Sequence, residues 1–218
     1  MAALHQRRRS THGSRAFTLI ELLVVTAIIV VVTAIVLANN NRFGGVVLLE
    51  NLAYDIALSV RQAQVYGISV ERFGTSCSTP GVNCFSAGYG VDFNLSSPGA
   101  YELFADTYPQ ATPDGIFEPD QGELVQQTTI SQGYSIQSLC VIPAQSSTCN
   151  SVTSIDILFK RPEPDAWISA NGNSCTENLG ACQASARITL ISPRGDSMSV
   201  TVDANGQIAV QQGTTVAP

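Results

Sequence analysis

The longest hydrophobic run in the chain, Phe17 to Ala38 (FTLIELLVVTAIIVVVTAIVLA), carries one charge, Glu21, and predicts the first element. Its 22 residues, at about 1.5 Å each, make a helix of roughly 33 Å, enough to cross a hydrocarbon core of about 30 Å. Residues 39–45, NNNRFGG, then interrupt the pattern with weak helix formers and two glycines. The helical period resumes with Leu48, Leu52, Ile56, Val60, Ala63 and Gly67 on one stripe, while Glu50, Asp55, Arg61 and Gln62 fall mostly elsewhere. This predicts one long N-terminal helix, or two segments with a soft joint at Asn39–Gly45. The later half buries its apolar stripe under a sheet.

Beyond Gly74 the period changes to two. Residues 88–94 (GYGVDFN) and 100–104 (AYELF) read as strands joined through Ser96-Ser97-Pro98-Gly99. Residues 154–159 (SIDILF) form another, stopped by Pro162 and Pro164. Residues 187–191, 198–202 and 207–210 form a three-stranded meander around the turns Ser192–Asp196 and Asp203–Gly206. Residues 124–137 add one more strand. A long helix followed by an antiparallel sheet is an α+β arrangement.

Glu21 is the position that plain hydrophobicity does not explain. A charge near the middle of a span costs about 2.5–3.5 kcal/mol on insertion scales, and less near an end. A cleavable secretory signal has a shorter apolar core and a small-x-small site, whereas Ala27 and Ala34 lie inside uninterrupted apolar sequence. The segment Arg15-Ala16-Phe17-Thr18-Leu19-Ile20-Glu21-Leu22-Leu23 resembles the processing site of type IV pilins and type II secretion pseudopilins. The resemblance implies that a prepilin peptidase cuts the Ala16–Phe17 bond and methylates the new amine of Phe17. It implies that Glu21, fifth in the processed chain, pairs with the α-amine of a neighbouring subunit, so that a costly charge becomes a register device satisfied by assembly. The family usually has Gly before the cut, where this chain has Ala16. Within the family, residues 52–94 and the terminal hairpin around Asn205-Gly206-Gln207-Ile208 are most similar to the H-type minor pseudopilins (GspH/FimT family).

The expected organisation is a cytoplasmic leader, 1–16; a transmembrane and assembly helix, 17–38; its amphipathic continuation, 39–73; and an extracytoplasmic head, 74–218. Arg7, Arg8, Arg9 and Arg15 place the N-terminal end in the cytoplasm by the positive-inside bias. The expected partners are the peptidase, other pilin or pseudopilin subunits and an inner-membrane assembly platform. The leader holds those four basic residues and no acidic one. Processing therefore leaves seven basic against 17 acidic residues, a net charge of −10. Such an exterior repels phosphates and argues against nucleic acid as a partner.

Six cysteines allow 15 pairings, but they fall into three near-neighbour sets: Cys77 and Cys84, Cys140 and Cys149, Cys175 and Cys182. We expect three local staples, formed in an oxidising compartment. Zinc is disfavoured because there is no CxxC spacing and no histidine outside the leader. With His5 and His12 removed by processing, Ser-His-Asp, Cys-His and His-metal chemistries are excluded and no cofactor is implied. Carboxylate pairs remain formally possible, yet no nucleophile motif accompanies them.

Residues 114–123 concentrate four carboxylates, as a calcium loop or, more simply, a solvated acidic turn. Trp167 is expected to anchor a loop onto the core, and Arg194 to sit at a hairpin tip. The function expected is a structural minor pilin or pseudopilin subunit, not an enzyme. The alternative is a tip adhesin or DNA-uptake module on the same anchor, using loops 75–87 and 140–185.

Overall fold

The computed structural model describes residues 17–69, 71–74, 85–109, 112–176 and 178–212, with the side chains of 38–44 left aside. Ala16, the leader and the Cys77–Cys84 pair lie outside the described residues. The described residues form one α-helix, α1 (Leu19–Ile68), and ten strands. The strands are β1 (Gly88–Asn94), β2 (Ala100–Asp106), β3 (Leu124–Thr129), β4 (Ser135–Pro143), β5 (Asn150–Val152), β6 (Ser154–Phe159), β7 (Ala166–Ala170), β8 (Gln183–Ile191), β9 (Ser197–Asp203) and β10 (Ile208–Gln212). Two compact units divide between Phe43 and Gly44, inside the helix.

In the larger unit the strands build two antiparallel five-stranded sheets, ordered β3-β2-β1-β6-β7 and β10-β9-β8-β4-β5. This is the α+β arrangement expected. Period-two alternation sorts the first sheet: Tyr89, Val91, Phe93, Tyr101, Leu103, Ile155, Ile157 and Phe159 enter the common core. That core also takes Ala186, Ile188, Leu190, Val200 and Val202 from the second sheet, and Ile56, Val60 and Ala63 from the helix.

The helical stripe differs from the expectation at its start. Leu49 and Ala53 are buried, whereas Leu48 is 42% exposed. Each step of four residues over-rotates by about 40°, so going back from Ile56 to Leu48 turns the side chain about 80° off the face, while Leu49 returns to within about 20°. The helix ends at Ile68, where the Ser69 amide closes onto the Val65 carbonyl at 2.9 Å. Gly67 lies against the Phe159 carbonyl, leaving no room for a Cβ.

Residues 124–137 hold two strands rather than one. Gln132 (φ 64°) and Gly133 (φ 78°) turn the chain between β3 and β4, a left-handed pair that no run of β-branched residues would permit. Trp167 is a strand residue in β7, opposite Leu158, with the Lys160 ammonium 4.1 Å from its ring centroid. It anchors no loop. Disulfides join Cys140 to Cys149 and Cys175 to Cys182, with Cα–Cα separations of 5.6 and 4.5 Å.

Candidate processing and assembly segment

The helix begins as its sequence directs. Thr18 stands just outside it, and its Oγ1 accepts a hydrogen bond from the Glu21 amide at 3.3 Å. Thr18-x-x-Glu21 has the residue order of a capping box, and the threonine half of that box is formed. Glu21 thus sits in the first turn, at the positive end of the helix dipole, where a carboxylate is least costly. Sequence reading overlooked this cap, although the four-residue pattern was legible.

Further along, Thr26 Oγ1 donates to the Leu22 and Leu23 carbonyls at 3.0 Å, and Thr33 Oγ1 to the Ile29 carbonyl at 2.7 Å. Both hydroxyls are therefore satisfied within the helix, as a lipid environment requires. The span Leu19–Leu37 is long and apolar enough to cross a membrane. Phe17 is 78% exposed, and the large apolar side chains from Leu19 to Leu37 are exposed too. Among the described residues Glu21 has no ion-pair partner. An apolar surface with a free carboxylate at its head is what the segment presents.

Residues 11–37 match the family model described as "Prokaryotic N-terminal methylation motif". The chain carries the methylation motif of pilin-like proteins. This pilin-type motif indicates a type IV pilin- or pseudopilin-like substrate of prepilin peptidase and implies assembly with other pilin subunits. With the apolar helix it marks a membrane-anchored protein bearing a C-terminal domain. Comparison with curated proteins gives no match, and neither does comparison with solved structures.

The head offers two features of its own. The first is a groove of about 680 Å³ near both disulfide loops, lined by Asp114, Asn150, Ser151, Asn171, Asn173 and Asn178 among others. Its amides mostly fold the loops themselves. Asn171 Oδ1 accepts from the Thr153 amide and hydroxyl and the Ser154 amide, Asn173 donates to the Ala170 carbonyl, and Asn178 Oδ1 accepts from Gly180.

The second feature is a layer of buried carboxylates that the sequence did not reveal. The segment 114–123 is not the solvated turn expected. Glu123 is 0% exposed, and its Oε1 accepts from the Thr107 and Tyr108 amides at 2.7 and 2.8 Å. Its Oε2 accepts from the Glu118 amide at 3.1 Å. Beneath this segment Asp156, Asp92 and Glu102 lie side by side across β6, β1 and β2 on the face away from the helix, all buried. Burial and the neighbouring Glu102 raise Asp92 to about 7, although a hydrogen bond with Asp156 opposes this. Asp156 is raised well above the usual carboxylate range by burial and by Asp92. Burial also lifts Asp106 to about 7, with Glu123 and Asp114 adding to the rise. Glu118 is pushed up to about 8 by burial and by Glu123. Among the described residues no three acidic, Cys or His side chains converge as metal ligands. The alternation of Asp92 and Glu102 with apolar residues could have placed them on the outer face, but only the strand register brings them together.

Proposed function

We propose that this chain is a structural minor subunit of a type IV pilus or a type II secretion pseudopilus, most similar to the H-type pseudopilins. Residues 1–16 are a leader cut at Ala16–Phe17, and Phe17 becomes the methylated N-terminus. Residues 17–38 serve as membrane anchor and assembly helix, 39–73 continue it, and 74–218 form an extracytoplasmic head. The basic leader stays in the cytoplasm.

The observation that carries this reading is a free carboxylate, Glu21, at the head of an exposed apolar helix, within a matched methylation motif. Cleavage creates a cation next to that carboxylate. In a bundle of such helices, the amine of one subunit and the Glu21 of the next form an ion pair in a medium where either charge alone is costly. The role is mechanical: an assembly platform adds the subunit to a filament, and the head supplies no chemistry. The internal use of the groove amides weighs against a tip adhesin, and the acidic exterior weighs against DNA capture.

The test is the intact mass of the protein from its native membrane. A chain beginning at Phe17 and heavier by one methyl group is expected; retention of residues 1–16 overturns the assignment. Filament imaging separates the subunit role from a tip role, since labelled heads along the shaft are incompatible with a tip adhesin.

A further inference from the structure

Segment 112–123 lies over the outer face of the first sheet, and several of its contacts are made with carboxylates. The Phe117 amide donates to Asp156 Oδ1 at 3.1 Å, and the Phe117 ring packs on Phe104 with centroids 5.6 Å apart. The Gly115 amide reaches Asp106. Glu123 ties the far end to the amides of Thr107, Tyr108 and Glu118. Neutral contacts hold it as well: Ser174 Oγ donates to the Asp114 carbonyl at 2.5 Å, Thr176 Oγ1 to the Pro113 carbonyl at 3.5 Å and the Asp114 amide to the Tyr108 carbonyl at 3.4 Å.

The charges around this segment are one-sided. They come from β1 (Asp92), β2 (Glu102 and Asp106), β6 (Asp156) and the segment itself (Asp114, Glu118, exposed Asp120 and Glu123). β3 contributes a neutral donor, Gln127 Nε2, at 2.8 Å from Glu102 Oε1. Lys160 is the cation that acts on Asp106, and its ammonium also lies over Trp167. Two carboxyl oxygens, Asp106 Oδ1 and Glu118 Oε2, are buried with no hydrogen-bond partner among the described residues. An ionised oxygen so placed is costly, whereas a protonated carboxyl is tolerated.

We propose that segment 112–123 is a proton-held cover, closed when Glu118 and the sheet carboxyls Asp92, Asp106 and Asp156 carry protons and released from the sheet as they ionise. Opening withdraws Phe117, one wall of a cavity of about 320 Å³, and uncovers Phe104, Leu158 and the carboxyls of Asp92, Glu102 and Asp156. The sign follows from the two states. In the closed state Asp92 and Asp106 titrate near 7 and Glu118 near 8, while in the open, hydrated state they return toward ordinary carboxylate values near 4. A group whose closed-state value is raised favours closure fully below about pH 4 and loses that contribution as pH rises through about 7–8. The cover therefore loosens on the alkaline side.

Amide hydrogen exchange of the full-length protein in detergent tests this at pH 5 and pH 8, with rates corrected for intrinsic exchange. Protection of the Phe117 and Glu118 amides is expected to fall by about tenfold or more across that range. The fall should be insensitive to low urea, unlike exchange of the β8 and β9 amides through global unfolding. In the Asp92→Asn/Asp156→Asn protein the fall should shrink by about threefold or more; Glu118→Gln, on the partly exposed rim, supplies a milder second variant that should shrink it in the same direction. Protection that is independent of pH overturns the proposal. So does cover exchange with the same urea dependence as β8 and β9, which would mean that the segment never opens by itself.

Discussion

Gly67→Ala puts the contact between helix and sheet to a direct test. A Cβ at this position lies 2.7 Å from the Phe159 carbonyl carbon and 2.9 Å from the Phe159 Cβ, against about 3.5–4.0 Å for an ordinary carbon contact. The opposed atoms cannot move aside cheaply, because β6 is hydrogen-bonded on both edges, to β1 and to β7. Two effects then compete. Replacing glycine by alanine within a helix gains about 0.5–1 kcal/mol from backbone entropy. Overpacking against a rigid neighbour costs about 1–3 kcal/mol, and here the upper part of that range applies. The net expectation is a loss of about 2 kcal/mol. With a urea slope of about 2 kcal/mol per molar, the unfolding midpoint drops by about 1 M without change of slope. The matched control is Gly99→Ala in the β1–β2 turn, where a Cβ meets nothing within 4 Å; its midpoint should stay within about 0.5 kcal/mol of the parent. A Gly67→Ala protein as stable as the parent, or more so, refutes the close approach.

Three further outcomes concern the head. Glu123→Ala removes the acceptor of three backbone amides and should cost about 3–5 kcal/mol by urea unfolding, whereas Glu123→Gln retains an acceptor and should lose about half as much. Cys140→Ser/Cys149→Ser opens a cross-link of sequence separation 9 and should cost about 2–3 kcal/mol in the chain-entropy account; an unchanged midpoint would mean that the loop is held by its other contacts. Gln64→Ala should cost about 1–3 kcal/mol and loosen the β9–β10 turn in hydrogen exchange, because the buried Gln64 amide donates to the Pro164 and Gly206 carbonyls at 2.9 and 3.1 Å.

The elements most legible in the sequence were those whose core-facing positions recur at a period of two. Residues 88–94, 154–159 and the terminal meander alternate over most of their length, with Leu158, Ile191 and Ala209 as departures, and each appears as a strand. The short strand β5 carries one buried residue, Val152, and so has no period to read. β7 follows Pro162 and Pro164 closely, and these prolines mask a strand of five residues. The outer layer was hidden for a different reason. Its members, Asp92, Glu102, Asp156 and Glu123, are charged residues that a sequence reading assigns to water. They are buried because Phe104 and Leu158 need cover, and Gly90, opposite both, leaves space for the Phe104 ring. The segment that covers them brings its own carboxylates. Local patterning therefore conveyed one face of the sheet and missed the other, whose burial depends on strand register and on a loop distant in sequence.

At the start of the helix the fold uses the backbone of Glu21, and the proposed assembly role would use its side chain. Thr18 Oγ1 engages the Glu21 backbone amide, so the cap consumes none of the carboxylate's hydrogen-bonding capacity. The side chain of Glu21 remains available for an amine on another subunit, and the two roles should separate by mutation. Thr18→Ala is expected to raise exchange at the Glu21 amide by about fivefold, the equivalent of about 1 kcal/mol for a lost cap, while filament incorporation persists. Glu21→Gln keeps the shape and the cap but removes the charge; exchange at that amide should stay near the parent value while incorporation is lost. If both variants lost incorporation equally, Glu21 would matter for ordering the first turn, and the ion pair between subunits would have no support. If neither lost it, the carboxylate would be no more than a tolerated charge at the positive end of a helix.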